Sequence, residues 1–188
     1  MEFVNHNPKI FIMAGKSRHG KDTTADIIRE YYEKRGLKTI NLANSYYLKD
    51  YAKRISNWDG SDETKPRELL QQLGTDLIRN NIDEHFFINR VIEDIEVLSY
   101  FFDIITISDV RMPYEIDLPK EHFDNVLAIH VNRPNFDNGL TEAQKQHRTE
   151  TALDDYQNYD ILLENDGTID DLKKKIEHLL EEDDKNEH

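Results

Sequence analysis

The segment Gly15-Lys16-Ser17-Arg18-His19-Gly20-Lys21-Asp22-Thr23 combines residue types suited to holding phosphate. Gly15, Gly20 and Lys21 fit the pattern G-x-x-x-x-G-K, with the usual following hydroxyl displaced by one position to Thr23. Two glycines let the backbone wrap so that successive N–H groups point inward at an anion. A helix starting at the lysine adds its positive dipole end. Lys21 is then placed to bridge the β- and γ-phosphates of a nucleoside triphosphate. The bland alternative is a glycine-containing turn that caps a helix. His19 lies inside the loop, but backbone amides dominate such loops, so it is not taken as catalytic.

A second acidic position follows the apolar run Ile104–Ser108, in Asp109-Val110-Arg111. A carboxylate at the end of a strand beside a phosphate loop is where Mg²⁺ is held in this chemistry, often through water. Asp109 is also a candidate helix cap. Arg111 has three readings: a pair with Asp109, a pair with Glu115, or a clamp on an acceptor phosphate. Asp22 either reaches the metal, with Thr23 beside it, or caps the helix that begins there. Asp22, Thr23 and Asp109 are therefore the candidate metal residues.

The elements that must position these groups alternate between short apolar runs and longer amphipathic segments, which signals an α/β fold. Strands are expected over Lys9–Met13, Thr39–Leu42, Ile104–Ser108, Val126–Val131 and Asp160–Leu163. Helices are expected over Lys21–Lys34, Ser45–Ile55, Pro66–Asn80, Glu84–Tyr100 and Thr168–Glu182. Ala25, Ile28 and Tyr32 form the inner face of the first helix; Leu69, Leu70, Leu73 and Leu77 form that of the third; Leu172, Ile176 and Leu179 form that of the last. The tyrosines at 46, 47 and 51 read as helix packing. Two polar excursions, about 43–80 and about 133–158, have no clean place in a sheet. Excursions of that kind serve as substrate-binding arms and lids.

The chain has 188 residues, enough for one domain with a sizeable core, and a net charge of −14. Such acidity repels nucleic-acid backbones and anionic membranes, so neither is expected as a partner. An anion site here must be built locally from amides and a few cations. Cysteine is absent, which excludes disulfides and cysteine-ligated metal. The start has no apolar signal region and no run is long enough to span a bilayer, so a cytoplasmic location is expected. The acidic stretch 181–188 reads as a frayed helix end or disordered tail.

In order along the chain, GKSRHGKDTTAD, KPRELLQQLGTDLIR, ISDVRMPYE, VNRP, HRTETALDD and ILLENDGTIDDL resemble the phage-type deoxynucleoside monophosphate kinases. The resemblance runs from Lys9 to about Leu180. It implies a three-layer P-loop kinase fold: a five-stranded parallel sheet flanked by helices, with a nucleotide-monophosphate arm and a lid. ATP and Mg²⁺ are the implied cofactors, and a (deoxy)nucleoside monophosphate is the implied small-molecule acceptor. By the same resemblance, Gly15 to Thr23 take the ATP phosphates. Arg133 lies against the donor nucleotide, Arg148 reaches the transferring phosphoryl from the lid, and Asn165 to Thr168 line the adenine pocket, Gly167 among them. That last stretch also reads as a turn and helix cap. Lys49, Lys65, Arg67, Gln71 and Arg79 are the acceptor-side candidates, with Arg111. The expected catalytic set is Lys21, Asp109, Arg111 and Arg148, with no protein nucleophile. Two rival readings remain open. One is a P-loop kinase acting on dephospho-coenzyme A or phosphomevalonate, and the other is a nucleotide-binding module without turnover. Pairing of two copies as a homodimer is likewise left open.

Overall fold

A computed structural model describes residues 3–186. Its centre is the strand β1 (Lys9–Ala14), all six residues of which are buried. Alternate side chains of a strand face opposite ways, and β1 uses both faces. Phe11 and Met13 pack with Ile28 and Tyr32 of helix α1 (Lys21–Glu33), and with Leu172 and Ile176 of the last helix. Ile10 and Ile12 pack on the other side against Ile88, Val91 and Ile95. A sheet covered on both faces needs continuous apolar strands, and KIFIMA is one.

The remaining strands are β2 (Thr39–Leu42), β3 (Ile104–Val110), β4 (Val126–Asn132) and β5 (Ile161–Glu164). All pair in parallel in the order β2-β3-β1-β4-β5. The register Lys9↔Ile104 and Ile10↔Val126 brings the carboxyl ends of β1, β3 and β4 to one edge. In a parallel sheet the crevice beyond that edge is the ligand site. The sequence expectation of a five-stranded parallel α/β sheet is met. Strand β3 runs two residues further than expected, so Asp109 lies within it rather than after it.

The segment 43–80 supplies helix α2 (Ser45–Ser56), the short helix α3 (Arg67–Gln71) and then a π-helix, Gln72–Ile82. The expected single α-helix over Pro66–Asn80 is therefore corrected. A switch to i→i+5 bonding adds residues per turn and rotates the inward face. Gly74 and Ile78 are buried, whereas Leu77, assigned inward from α-periodicity, is 49% exposed. Tyr47 packs by donating from its hydroxyl to Asp94 (2.9 Å), and Tyr51 lies beside the Phe86 ring, but Tyr46 is exposed.

Helix α4 (Phe86–Leu98) covers the second face with α5 (Tyr114–His122). The latter is absent from the sequence reading because Pro119 sits inside it. Within 133–158 two four-residue helices, α6 (Glu142–Lys145) and α7 (Arg148–Thr151), are linked by loops. Helix α8 (Ile169–Asn186) takes in most of the acidic stretch that begins at 181. Asp184 accepts from the hydroxyls of Tyr31 (3.2 Å) and Tyr32 (3.0 Å), and Asp183 pairs with Lys9. The final two positions of that tail lie outside the described residues. No described helix is long and apolar enough to cross a membrane.

Candidate functional site

The loop joining β1 to α1 has the conformation that its glycines permit. Gly15 adopts φ +136°, and a Cβ there would stand 2.3 Å from the Val131 carbonyl oxygen of β4. Gly20 adopts φ +104°, and a Cβ would meet the Asn165 amide at 2.6 Å. Neither position can hold another residue without moving a strand end or that amide. Asn165 Nδ2 donates to the His19 carbonyl (3.0 Å), so the loop after β5 braces the phosphate loop from outside. Thr168 and Asp171 cap α8 reciprocally. Gly167 belongs to that turn and takes no part in the cavity linings described below.

Lys21 Nζ donates to the carbonyls of Gly15 and Lys16, each at 2.8 Å. The side chain is 6% exposed. Burial, with the Arg111 cation beside it, lowers its pKa to about 8. Gly20 is the N-cap of α1 and no side chain caps the helix, so the capping role weighed for Asp22 is not found. Asp22 instead lines a cavity of about 560 Å³ beside the loop.

His19 is buried, and its Nδ1 accepts from the Arg133 N–H (3.1 Å). Burial, then Lys21, pushes its pKa down, which keeps the ring neutral and suited to accepting. Arg133 lies with its guanidinium 4.0 Å from the Phe136 ring centroid. Together with His19 and Asn138 they line a second cavity of about 750 Å³. Arg18 donates to the Asn138 carbonyl (2.9 Å), and Lys16 pairs with Asp154 (2.9 Å), so the 133–158 segment is drawn over the loop.

The first cavity lies on the opposite side of the loop, toward the 43–80 segment. Lys49, Lys65, Arg67, Arg79 and Arg111 all contribute to its wall. Five cations share that wall with Asp22, Asp109, Glu115 and Glu150, so the cavity gathers positive charge relative to a chain of net charge −14. Gln71 does not line it and belongs to a neighbouring groove, with Arg67 and Arg79.

Two of the three arginines are held by carboxylates. Arg79 donates to Glu115 Oε1 (3.1 Å) and the Tyr114 hydroxyl (3.2 Å), with its guanidinium over the Phe87 ring. Glu115 is 1% exposed and also accepts from the N–H groups of Arg111 (2.7 Å) and Met112 (3.1 Å). Burial raises the Glu115 pKa, and Arg79 opposes that rise. The Arg111 side chain pairs with neither Asp109 nor Glu115, the two partners weighed from sequence. It donates to Glu150 Oε1 (2.7 Å). Arg148, expected at the transferring phosphoryl, is instead half exposed, paired with Glu84 and outside the cavity linings.

Asp109 accepts from the N–H groups of Asn44 (2.7 Å) and Ser45 (2.9 Å), fixing the start of α2 to the end of β3. The capping alternative is thus realised on a helix remote in sequence. Each carboxylate oxygen keeps a lone pair. Mg²⁺ takes hard oxygen ligands, commonly one or two carboxylates completed by substrate phosphates and water. Asp22 and Asp109 fit that donor set, with Thr23 next in the helix. Among the described residues no cluster of three or more His, Asp or Glu could hold a metal without such help.

Three site residues escape sequence reasoning. Glu150 joins Arg111 to the Ser17 N–H, which donates to its Oε2 (3.1 Å). Asn44 is 3% exposed and lines the cationic cavity, yet neither its amide nitrogen nor its amide oxygen has a hydrogen-bond partner. The Ser108 hydroxyl, beside Asn41 at 3.4 Å, completes that wall.

Comparison with known proteins converges on one family. The family model described as deoxynucleotide monophosphate kinase matches residues 31–176. The deoxynucleotide monophosphate kinase of Enterobacteria phage T4 is 27% identical over 150 residues, covering 79% of this chain and 57% of its own. That of Escherichia phage RB69 is 26% identical over 166 residues, covering 85% of this chain and 65% of its own. The chain thus spans less than two thirds of the length of either relative. Among solved structures, the APS kinase of Mycobacterium tuberculosis in complex with AMPPNP and APS superposes with a TM-score of 0.58 at 15% identity, over 93% of this chain and 98% of that one. At that identity the likeness is one of fold.

Proposed function

The chain belongs to the deoxynucleotide monophosphate kinase family, and from that membership we propose that it transfers the γ-phosphoryl group of ATP to the 5′-phosphate of a deoxynucleoside monophosphate. An acceptor phosphate oxygen forms the new bond to the γ-phosphorus, the bond from that phosphorus to the β,γ-bridging oxygen breaks, and ADP leaves with its electron pair. The observation that carries the reading is the cavity ringed by Lys49, Lys65, Arg67, Arg79 and Arg111, which adjoins the phosphate loop in an otherwise acidic protein.

Phosphoryl transfer asks little covalent chemistry of the protein. It asks for alignment and for neutralisation of charge on the moving group. Lys21, released from its two loop carbonyls, serves the β- and γ-phosphates. Arg111 is the cation placed to serve the transferring group, since it stands beside Lys21 and reaches across to the loop through Glu150. Arg79, with its fork fixed on Glu115, serves the acceptor phosphate. Mg²⁺, held by Asp22 and Asp109 with the phosphates, would neutralise further charge when bound. The 133–158 segment acts as a lid that excludes water, and 43–80 acts as the acceptor arm. Arg133 and Phe136 flank the donor nucleoside. Arg148 gains a part only if it leaves Glu84.

The test is ADP release measured with ATP and Mg²⁺ across the four common dNMPs and the matching NMPs, set against dephospho-coenzyme A and phosphomevalonate. Stimulation by one or more dNMPs is expected. Turnover confined to either of the last two acceptors refutes the nucleotide reading. ADP formation that no acceptor stimulates refutes acceptor transfer altogether.

A further inference from the structure

We propose that Glu150 occupies the position of the transferring phosphoryl group while the cleft is empty, and that its displacement couples the binding of the two nucleotides. The proposal rests on the donor and acceptor assignments just given. Among the described residues, the two cavities have one lining residue in common, and it is Glu150. A donor in one cavity and an acceptor in the other must meet where the linings meet. The side chain there is a carboxylate that is 11% exposed.

Both its oxygens are engaged, and by donors suited to phosphate. Oε2 accepts from the Ser17 N–H inside the phosphate loop, and Oε1 accepts from the Arg111 guanidinium. An inward amide of a phosphate loop and an arginine beside it are groups that bind phosphoryl oxygens. The carboxylate spans them with two oxygens, as a phosphoryl group would. It also lies close enough to Lys21 to favour that cation against its burial. The donors that phosphoryl transfer requires are thus satisfied from within the chain.

A phosphate cannot share those donors with Glu150. Two anions on one amide and one arginine repel each other, and the carboxylate has to leave. The first nucleotide to bind therefore bears the loss of two charge-assisted hydrogen bonds. The second finds the junction already vacated. A cost borne once appears as positive coupling, and linkage makes the coupling equal in both directions. The other lid contacts on the loop, Lys16–Asp154 and Arg18 to the Asn138 carbonyl, do not reach the acceptor cavity.

A plain structural ion pair would behave in the opposite way. If Glu150 only holds the lid and Arg111 in place, its removal weakens nucleotide binding. If it is an internal occupant, its removal strengthens the binding of a lone nucleotide. The experiment is calorimetric titration of wild type, Glu150→Ala and Glu150→Gln with Mg²⁺ and AMPPNP. It is run alone and with a saturating amount of the dNMP that shows the highest kcat/KM, and then in reverse. In wild type each ligand should tighten the other by the same factor, about fivefold or more. In Glu150→Ala, AMPPNP alone should bind about fivefold tighter than to wild type, and the mutual factor should fall toward one. Glu150→Gln, which keeps the shape and loses the charge, should fall between. AMPPNP binding no tighter to either folded variant than to wild type, or coupling retained in full, overturns the proposal. Tripolyphosphate serves as a nucleoside-free probe of the loop. Its tighter binding to Glu150→Ala upholds the self-occupancy even if the acceptor panel refutes the nucleotide reading, and unchanged binding overturns it.

Discussion

Asp109, near the end of β3, accepts the backbone N–H of Asn44 at 2.7 Å, and through this contact the start of α2 is fixed to the edge of the sheet. One carboxylate therefore joins the acceptor arm to the strand beside the phosphate loop. Its neighbour Ser45 donates to the other oxygen at 2.9 Å. Asp109→Ala leaves two N–H groups without that acceptor, and an unmade bond of this kind costs about 1–3 kcal/mol when buried. Reduced thermal stability and a raised acceptor KM are expected together. Asp109→Asn should raise the Mg²⁺ needed for half-maximal rate. An unchanged metal titration in Asp109→Asn would leave Asp109 as a cap alone.

Lys21 makes a different prediction, because its effect on stability is opposite to its effect on catalysis. Its folded pKa is lowered to about 8, so the native state disfavours the cation. Between about 8 and the ordinary lysine value the unfolded chain binds more protons, and stability contributed by this group rises with pH. Lys21→Met should therefore be no less stable than wild type at neutral pH. Activity should fall steeply in the same variant, since charge stabilisation at the phosphates is worth on the order of 3 kcal/mol or more. In wild type, kcat/KM for ATP should decline as pH rises through about 8, where the free enzyme loses the ammonium. Bound phosphate favours the cation, so kcat should hold to higher pH. Wild-type-like turnover in the purified Lys21→Met variant would remove Lys21 from the mechanism.

Arg79 and Glu115 are both largely buried, with side chains 10% and 1% exposed. Removing one member of such a pair leaves an uncompensated buried charge and costs about 3–5 kcal/mol. Arg79→Ala should accordingly lose stability as well as acceptor affinity. Glu115→Gln takes the charge from the other side, and its amide NH2 must face either Arg79 or the N–H groups of Arg111 and Met112, so it should lose stability too. Chemical denaturation checks both variants, and wild-type stability in either would contradict the buried-pair account. Arg111→Ala is the cleaner probe of catalysis. It leaves Glu150 still bonded to the Ser17 N–H and should lower kcat at least tenfold, with a smaller loss of stability than Arg79→Ala.

The phosphate loop was legible in the sequence because its glycines and lysine have a fixed spacing with a mechanical cause, which the Gly15 approach to Val131 makes concrete. The sheet was legible because KIFIM and IITIS are continuous apolar runs between polar segments. What escaped depends on tertiary partners. α-Periodicity places Leu77 inward, and no residue type announces the π-helix that turns it out. The pairing of Arg148 with Glu84 cannot be read from the sequence, since the two lie far apart in it. Glu150 is one of 38 acidic residues, and only the fold brings it to Ser17 and Arg111. Asp183 and Asp184 read as tail charge until Lys9, Tyr31 and Tyr32 stand opposite them.

Asn44 carries the last prediction. Its amide nitrogen and oxygen are both buried without a partner, and the residue lines the cationic cavity. Its backbone is fixed on Asp109, so the side chain is presented from a rigid point. Each unmade bond of a buried polar group costs about 1–3 kcal/mol. A protein that keeps such a group beside a ligand cavity trades stability for recognition. An amide offers one donor and one acceptor side by side, which matches a nucleobase edge or a sugar hydroxyl. Asn44→Leu, close in size and without polar atoms, should raise the melting temperature. The same variant should raise acceptor KM, or flatten the preference among the four dNMPs, by about tenfold, with KM for ATP nearly unchanged. If Asn44 were merely an imperfection of packing, the leucine variant would gain stability and keep its acceptor kinetics. Measuring melting temperature and the dNMP panel on one preparation decides between the two, and unchanged acceptor kinetics would remove Asn44 from the site.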